Sequence, residues 1–227
     1  MASNSYIDKT TGKTIVRTVT RPKTERIYER VSDAYDLCRI IAKHGDKTAF
    51  TYFDKTKKLY TISYIRFYNR ILRTAAGLTK MGLAGKKIAL IGETSTAWLA
   101  SYLAILVTGG VAIPMDKELE ISSIVGLLES VEADAIIYSD TFNGRFVNSI
   151  SKDSSIKTFI PIDPDEEELK HEGVIAYRAM RAEGKKELEA GNFKLNPKQD
   201  REKMCEMLFT SGTTGTSKCV MLWIPPL

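Results

Sequence analysis

The sequence predicts an α/β fold built on a mostly parallel, doubly wound sheet, and three observations carry that expectation. From Lys87 onward, short continuous apolar runs alternate with helical patterns, as parallel strands covered on both faces require. The apolar run 204–209 opens directly into a loop of hydroxyls, glycines and one cation, and in such sheets ligands gather where loops leave the carboxyl ends of strands. With 43% hydrophobic residues among 227, the chain has enough apolar material for a sizeable core.

Residues 1–30 carry seven basic against three acidic side chains, so +4 of the chain's net +5 lies there. That excess predicts a basic, solvated and partly disordered N-terminal arm. Ser32 is the expected N-cap of a first helix with Ala34, Leu37, Cys38, Ile40 and Ile41 on one side, ending near Gly45. The β-rich runs 48–53 and 59–62 flank Asp54, Lys55, Thr56, Lys57 and Lys58, the pattern of a hairpin. Ser63 then caps a longer helix with Ile65, Tyr68, Ile71, Leu72, Ala75 and Leu78 at helical spacing and Gly82 just past its end.

The alternation that follows reads strand 88–91, helix 97–107, strand 111–114, helix 118–131 and strand 135–138. A short helix over 142–150 and a strand over 158–162 precede the acidic run 163–168, expected to be a solvated face and not a metal site. A charged helix over 174–190, closed by Gly191 and Asn192, leads into the final strand from Cys205. No internal repeat is present.

Several function classes are excluded. Cys38, Cys205 and Cys219 share no C-x-x-C spacing, and His44 and His171 are the sole histidines, so neither a disulfide framework nor a zinc site is expected. The cysteines are expected as small buried hydrophobes. No basic stripe interleaved with aromatics continues past the arm, which argues against nucleic acid as a partner. The uncharged run 94–115 is long enough to cross a bilayer, but Gly109, Gly110, Pro114 and its hydroxyls break it, so a helix followed by a buried strand is expected and no transmembrane segment. The polar N-terminus lacks the apolar stretch of a secretory signal, and a cytoplasmic location follows.

The loop itself reads Thr210, Ser211, Gly212, Thr213, Thr214, Gly215, Thr216, Ser217, Lys218. Glycines let backbone N–H groups close around an anion, hydroxyls donate to phosphate oxygens, and Lys218 supplies a charge-assisted donor. A Walker P-loop does not fit, because Ser217 stands where the second glycine belongs and Cys219 where the metal-binding hydroxyl belongs. As bare composition the stretch is equally a flexible polar linker.

As an ordered string, however, it closely resembles the phosphate-loop signature of the AMP-forming acyl-CoA synthetases of the adenylate-forming superfamily. Two upstream segments resemble the same family in the same order. They are Ile91-Gly92-Glu93-Thr94-Ser95-Thr96-Ala97-Trp98, a strand-end turn into a helix, and the stretch from Leu106 through Gly109, Gly110 and Pro114 to Asp116. Taken one residue at a time, these upstream positions read as plain α/β packing: a glycine pair that turns, Trp98 that fills core and Pro114 that ends a strand. With Tyr60 to Tyr64, the likeness covers roughly residues 30–222 and is strongest to long-chain fatty acid members.

The resemblance implies the incomplete N-terminal part of the adenylate-forming fold, divided as a basic arm over 1–30, a partial AMP-binding domain over 31–222 ending at the phosphate loop, and an atypical tail over 223–227. It implies a ligase that activates a carboxylic acid, of fatty type, as acyl-AMP and passes it to coenzyme A, with ATP and Mg2+ as companions. Residues 210–218 would hold the β- and γ-phosphates of the leaving pyrophosphate. The family has glycine where Cys219 stands and continues differently after Leu222, and its adenine pocket, acidic magnesium ligand, ribose-binding aspartate and mobile catalytic lysine all fall downstream. The expectation is therefore an N-terminal fragment, truncated or frame-shifted, inactive by itself. A stand-alone phosphate-binding module and a non-enzymatic interaction protein are the alternatives. Acyl chain length and oligomeric state are not encoded in any motif here.

Overall fold

The computed structural model describes residues 3–7, 14–18, 31–53, 56–195, 200, 202–210 and 218–223, in two compact units, Met1–Arg30 and Val31–Leu227. In the first unit β1 (Ser3–Ile7) and β2 (Thr14–Thr18) pair antiparallel, with Tyr6 opposite Ile15. The charge count had predicted no regular element there. The run Thr14-Ile15-Val16 is β-branched throughout, and its strand propensity prevails over the basic composition.

The second unit begins with α1 (Ala34–Lys43). Its N-cap is Asp33, not Ser32: the Asp33 carboxylate accepts the Asp36 N–H at 2.8 Å, and the Asp36 carboxylate in turn accepts the Ser32 N–H at 3.2 Å. A carboxylate satisfies the first-turn donors and favours the positive helix end, which a serine hydroxyl cannot do as well. The hairpin β3 (Thr48–Phe53) and β4 (Leu59–Ser63) follows, then α2 (Tyr64–Lys80), capped by Ser63 and closed by Gly82 in the left-handed region at φ +73°.

The main sheet contains β5 (Lys87–Ile91), β6 (Val111–Pro114), β7 (Ala135–Tyr138), β8 (Thr158–Pro161), β9 (Met204–Thr210) and β10 (Lys218–Trp223). Their spatial order is β10-β9-β6-β5-β7-β8. All pair parallel except β10, which runs antiparallel to β9 at the edge. The connecting helices are α3 (Thr96–Val107), α4 (Ile121–Ser130), α5 (Arg145–Ser149) and α6 (Tyr177–Glu189).

Two separate cores make the sheet doubly wound. Cys38, Ile71, Leu78, Ala100, Ala104 and Met180 from α1, α2, α3 and α6 pack with Ile88, Leu90, Ala112 and Ile137 on one face. On the other, Ile124 and Leu128 of α4 and Phe146 of α5 pack with Ala89, Ile91, Ile113 and Ile136. Alternate residues of each strand thus feed opposite cores, and so the strands read as continuous apolar runs. Helices α2 and α6 cross at backbone contact: a Cβ on Gly184 would overlap the Arg73 carbonyl oxygen and lie 2.6 Å from the Gly77 nitrogen.

The acidic run contains one correction. Glu168 is 1% exposed, and its carboxylate accepts from the Tyr138 hydroxyl and the Gly144 N–H. A carboxylate with two donors aimed at it is satisfied in the interior, whereas a solvated face would leave both donors unpaired.

Candidate phosphate-binding site at the carboxyl edge

Each parallel strand of the main sheet ends on the same edge, and there the exit loops lie side by side. Strand β5 leaves toward the α3 face, while its neighbours β6 and β7 leave toward the α4 and α5 face. Loops that diverge to opposite faces open a crevice at the strand ends, the usual ligand position in open α/β sheets.

At the end of β5, Gly92 has φ +128°, and a Cβ there would run into the Ser139 side chain that follows β7. Glycine is therefore required for the two exit loops to meet. Beside it, the Lys117 ammonium that follows β6 reaches the Glu93 carboxylate that follows β5 at 2.6 Å, an ion pair across the crevice. That hydrogen bond to Glu93 holds the Lys117 ammonium above the usual lysine range. Asp116 turns back on its own loop, its carboxylate accepting the Glu118 N–H at 2.9 Å. Sequence reasoning had quoted Glu93 and Asp116 only as parts of motifs and had passed over Lys117; the signal was their position just beyond the two strand ends.

Next in the sheet is β9, whose Glu206 is the parallel partner of Ala112 in β6. Counted forward from that pair, Thr210 comes level with Asp116, so β9 delivers its last residue at the same edge. The chain returns as β10, and Lys218 pairs directly with Thr210. Both side chains are exposed. The expected ligand residues Ser211, Gly212, Thr213, Thr214, Gly215, Thr216 and Ser217 lie outside the described residues.

Strand β10 was not anticipated: residues 219–222 were assigned to the end of the domain with no element of their own, and Trp223 to the atypical tail. Cys219, Val220, Met221 and Leu222 face Phe209, Leu208, Met207 and Glu206 in sequence, a register that returns a cation to the start of the loop. The thiols divide as well: Cys38 is buried and pushed up to about 12 chiefly by desolvation, Cys205 is half-buried, and Cys219 is exposed, against the expectation of burial.

A cleft of about 320 Å³, lined by Thr79, Leu106, Thr108, Phe193, Lys203 and Cys205, opens near the starts of β6 and β9. It is on the amino edge and has no part in the chemistry of Thr210 and Lys218. Among the described residues no three His, Cys, Asp or Glu side chains group as a metal site. Hydroxyl and ammonium donors fit a polyphosphate, and no step here is derived through Mg2+. No helix among the described residues is long and apolar enough to cross a membrane, and the uncharged run 94–115 folds as α3 and β6.

Residues 38–224 match the model of the family described as AMP-binding enzyme. A chloroplastic long-chain-fatty-acid–[acyl-carrier-protein] ligase of Arabidopsis thaliana is 28% identical over 194 residues, covering 79% of this chain and 26% of the relative. A long-chain-fatty-acid–CoA ligase of Rattus norvegicus is 25% identical over 181 residues, covering 73% and 25%. Among solved structures, the adenylation domain of a carboxylate reductase from Mycobacterium chelonae superposes with TM-score 0.68 at 21% identity, covering 86% of this chain and 35% of that one. The chain thus spans about a quarter of the length of these curated relatives.

Proposed function

The chain belongs to the AMP-binding enzyme family, and from that premise we propose that it is the polyphosphate-holding portion of an AMP-forming acid–thiol ligase. In the reaction so assigned, a carboxylate oxygen attacks the α-phosphorus of ATP, the bond to the β-phosphate bridging oxygen breaks, and acyl-AMP and pyrophosphate result. A thiol, that of coenzyme A in this reading, then attacks the acyl carbon and releases AMP. The acid is of fatty type, a choice supported by the fatty-acid ligases among the relatives. One of these relatives is chloroplastic, so the comparisons assign no compartment.

The observation that carries the reading is the pairing of Thr210 with Lys218 at the mouth of the hydroxyl loop. Negative charge accumulates on the pyrophosphate as the P–O bond breaks, and fixed donors at that point stabilise the transition state more than the ground state. Thr210, Ser211, Thr213, Thr214, Thr216 and Lys218 are the donors assigned, with Gly212 and Gly215 giving backbone access and Ser217 completing the run.

Residues 1–227 alone are assigned no adenylation activity, a reading supported by their covering only about a quarter of the ligase relatives. Hydroxylamine trapping with ATP and a fatty acid tests this: no acyl-hydroxamate is expected from the purified chain, and its formation would overturn the assignment.

A further inference from the structure

Helices α2 and α6 lie side by side, and three contacts fix their register. The Tyr177 and Thr74 hydroxyls share a hydrogen bond at 2.9 Å, Gly184 packs against the Arg73 carbonyl and the Gly77 nitrogen, and the Lys80 ammonium reaches the Glu187 carboxylate at 2.9 Å. That register brings Arg181 of α6 level with Arg70 and Arg73, which lie one turn apart on α2. Arg70 donates to the hydroxyl of Thr96 at the start of α3, and the Arg181 guanidinium lies 5.5 Å from the Tyr177 ring centre. The Arg181 Nε is buried with no hydrogen-bond partner. Among the described residues, no carboxylate forms an ion pair with Arg70, Arg73 or Arg181. Burial holds the Arg181 guanidinium below the usual arginine range; Tyr177 acts the other way, and the Arg70 and Arg73 charges push it down again.

Three guanidiniums gathered without a counter-charge, one of them with an orphaned donor, are costly unless an anion completes them. We propose that Arg70, Arg73 and Arg181 form a binding site for inorganic phosphate at the seam of α2, α3 and α6. A water molecule would satisfy the Nε donor but leave the positive charges uncompensated. A carboxylate brings a single charge, whereas phosphate brings about two, on oxygens that planar guanidinium forks take in pairs. Three forks engage all of its oxygens, so the free anion fits better than an ester of it. In binding, Arg181 turns its Nε edge to the phosphate and gains the acceptor it lacks. No residue of 210–218 takes part, so the inference does not depend on the ligase reading.

Equilibrium dialysis of residues 1–227 against radiolabelled inorganic phosphate, at fixed ionic strength and above the second phosphate ionisation, tests it. Phosphate is expected to be retained, and Arg181→Gln should weaken retention by about tenfold or more through loss of charge-assisted contacts. Arg73→Gln should weaken it in the same way, while Arg178→Gln, at an exposed neighbour on α6, should leave it unchanged. Lys218→Ala separates this site from the hydroxyl loop: the loss caused by Arg181→Gln should persist in that background. Both Arg73→Gln and Arg181→Gln are expected to unfold at or above the parent's urea midpoint, since each removes an unpaired charge. Midpoints below the parent's would contradict the like-charge cluster.

No retention by the parent chain, or equal retention by Arg181→Gln and Arg73→Gln, would overturn the proposal. So would displacement of the label by acetate as effective as by phosphate, which would assign the cluster to a carboxylate. Displacement by glycerol phosphate would assign it to a phosphate ester and overturn the choice of the free anion.

Discussion

Replacing Gly184 by alanine tests the close packing of α6 on α2. In an exposed helix, glycine to alanine is stabilising by about 1 kcal/mol, since alanine restricts the unfolded backbone. At Gly184 the added methyl meets the rigid backbone of α2, overlapping the Arg73 carbonyl oxygen, and Gly77 offers no relief because its own Cβ position lies 2.5 Å from the Met180 carbonyl oxygen. Overpacking against main chain costs about 1–3 kcal/mol or more, and here two helices would have to separate. The net expectation for Gly184→Ala is a loss of about 2 kcal/mol, or a fall in Tm of roughly 4–8 °C for a unit of this size. Gly126 in α4 is the control, because nothing lies within 4 Å of its Cβ position. Gly126→Ala should therefore stabilise by about 0.5–1 kcal/mol. Urea unfolding followed by circular dichroism gives both signs in one experiment. A Gly184→Ala chain as stable as its parent would refute the close crossing of α2 and α6.

Glu168→Ala should cost about 2–4 kcal/mol in the same assay, because the buried Tyr138 hydroxyl and Gly144 N–H each lose their acceptor; a neutral effect would contradict the burial of that carboxylate. Thiol titration of the native chain should modify exposed Cys219 first and leave Cys38 protected until the chain unfolds. Cys38 also fixes an alkaline limit. Its thiol ionises near 9.0 when unfolded and at about 12 when folded, so the native state holds the proton more tightly. Its contribution is complete below the unfolded value and falls as pH rises between the two, with Tyr138 adding the same sign at higher pH. Urea midpoints should drop across that window, and Cys38→Ala should flatten the early part of the drop.

Strands β5, β6 and β7 were legible to within a residue, because a strand buried on both faces is apolar at every position and these runs are short and bounded by turn residues. Helix α2 was equally legible from Ser63, its 3.6-residue stripe and Gly82. What escaped the sequence depended on distant partners. Glu168 looked like one more solvated acid until Tyr138 and Gly144, far away in the chain, supplied its donors. Strand β10 was hidden because its six residues gain meaning only from their register on β9, although the β-rich run from Cys219 to Trp223 was a usable signal. At the candidate site the order of hydroxyls, glycines and lysine after a strand end was readable. The direct pairing of Thr210 with Lys218 was not, since it needs a return strand that local spacing does not announce.

Equilibrium dialysis of residues 1–227 against ATP, pyrophosphate and AMP tests the central claim most directly. If residues 210–218 grip the β- and γ-phosphates, ATP and pyrophosphate are retained, AMP is not, and Lys218→Ala weakens retention by about tenfold or more through loss of a charge-assisted contact. Equal retention of AMP, or retention of pyrophosphate unchanged in Lys218→Ala, would contradict it.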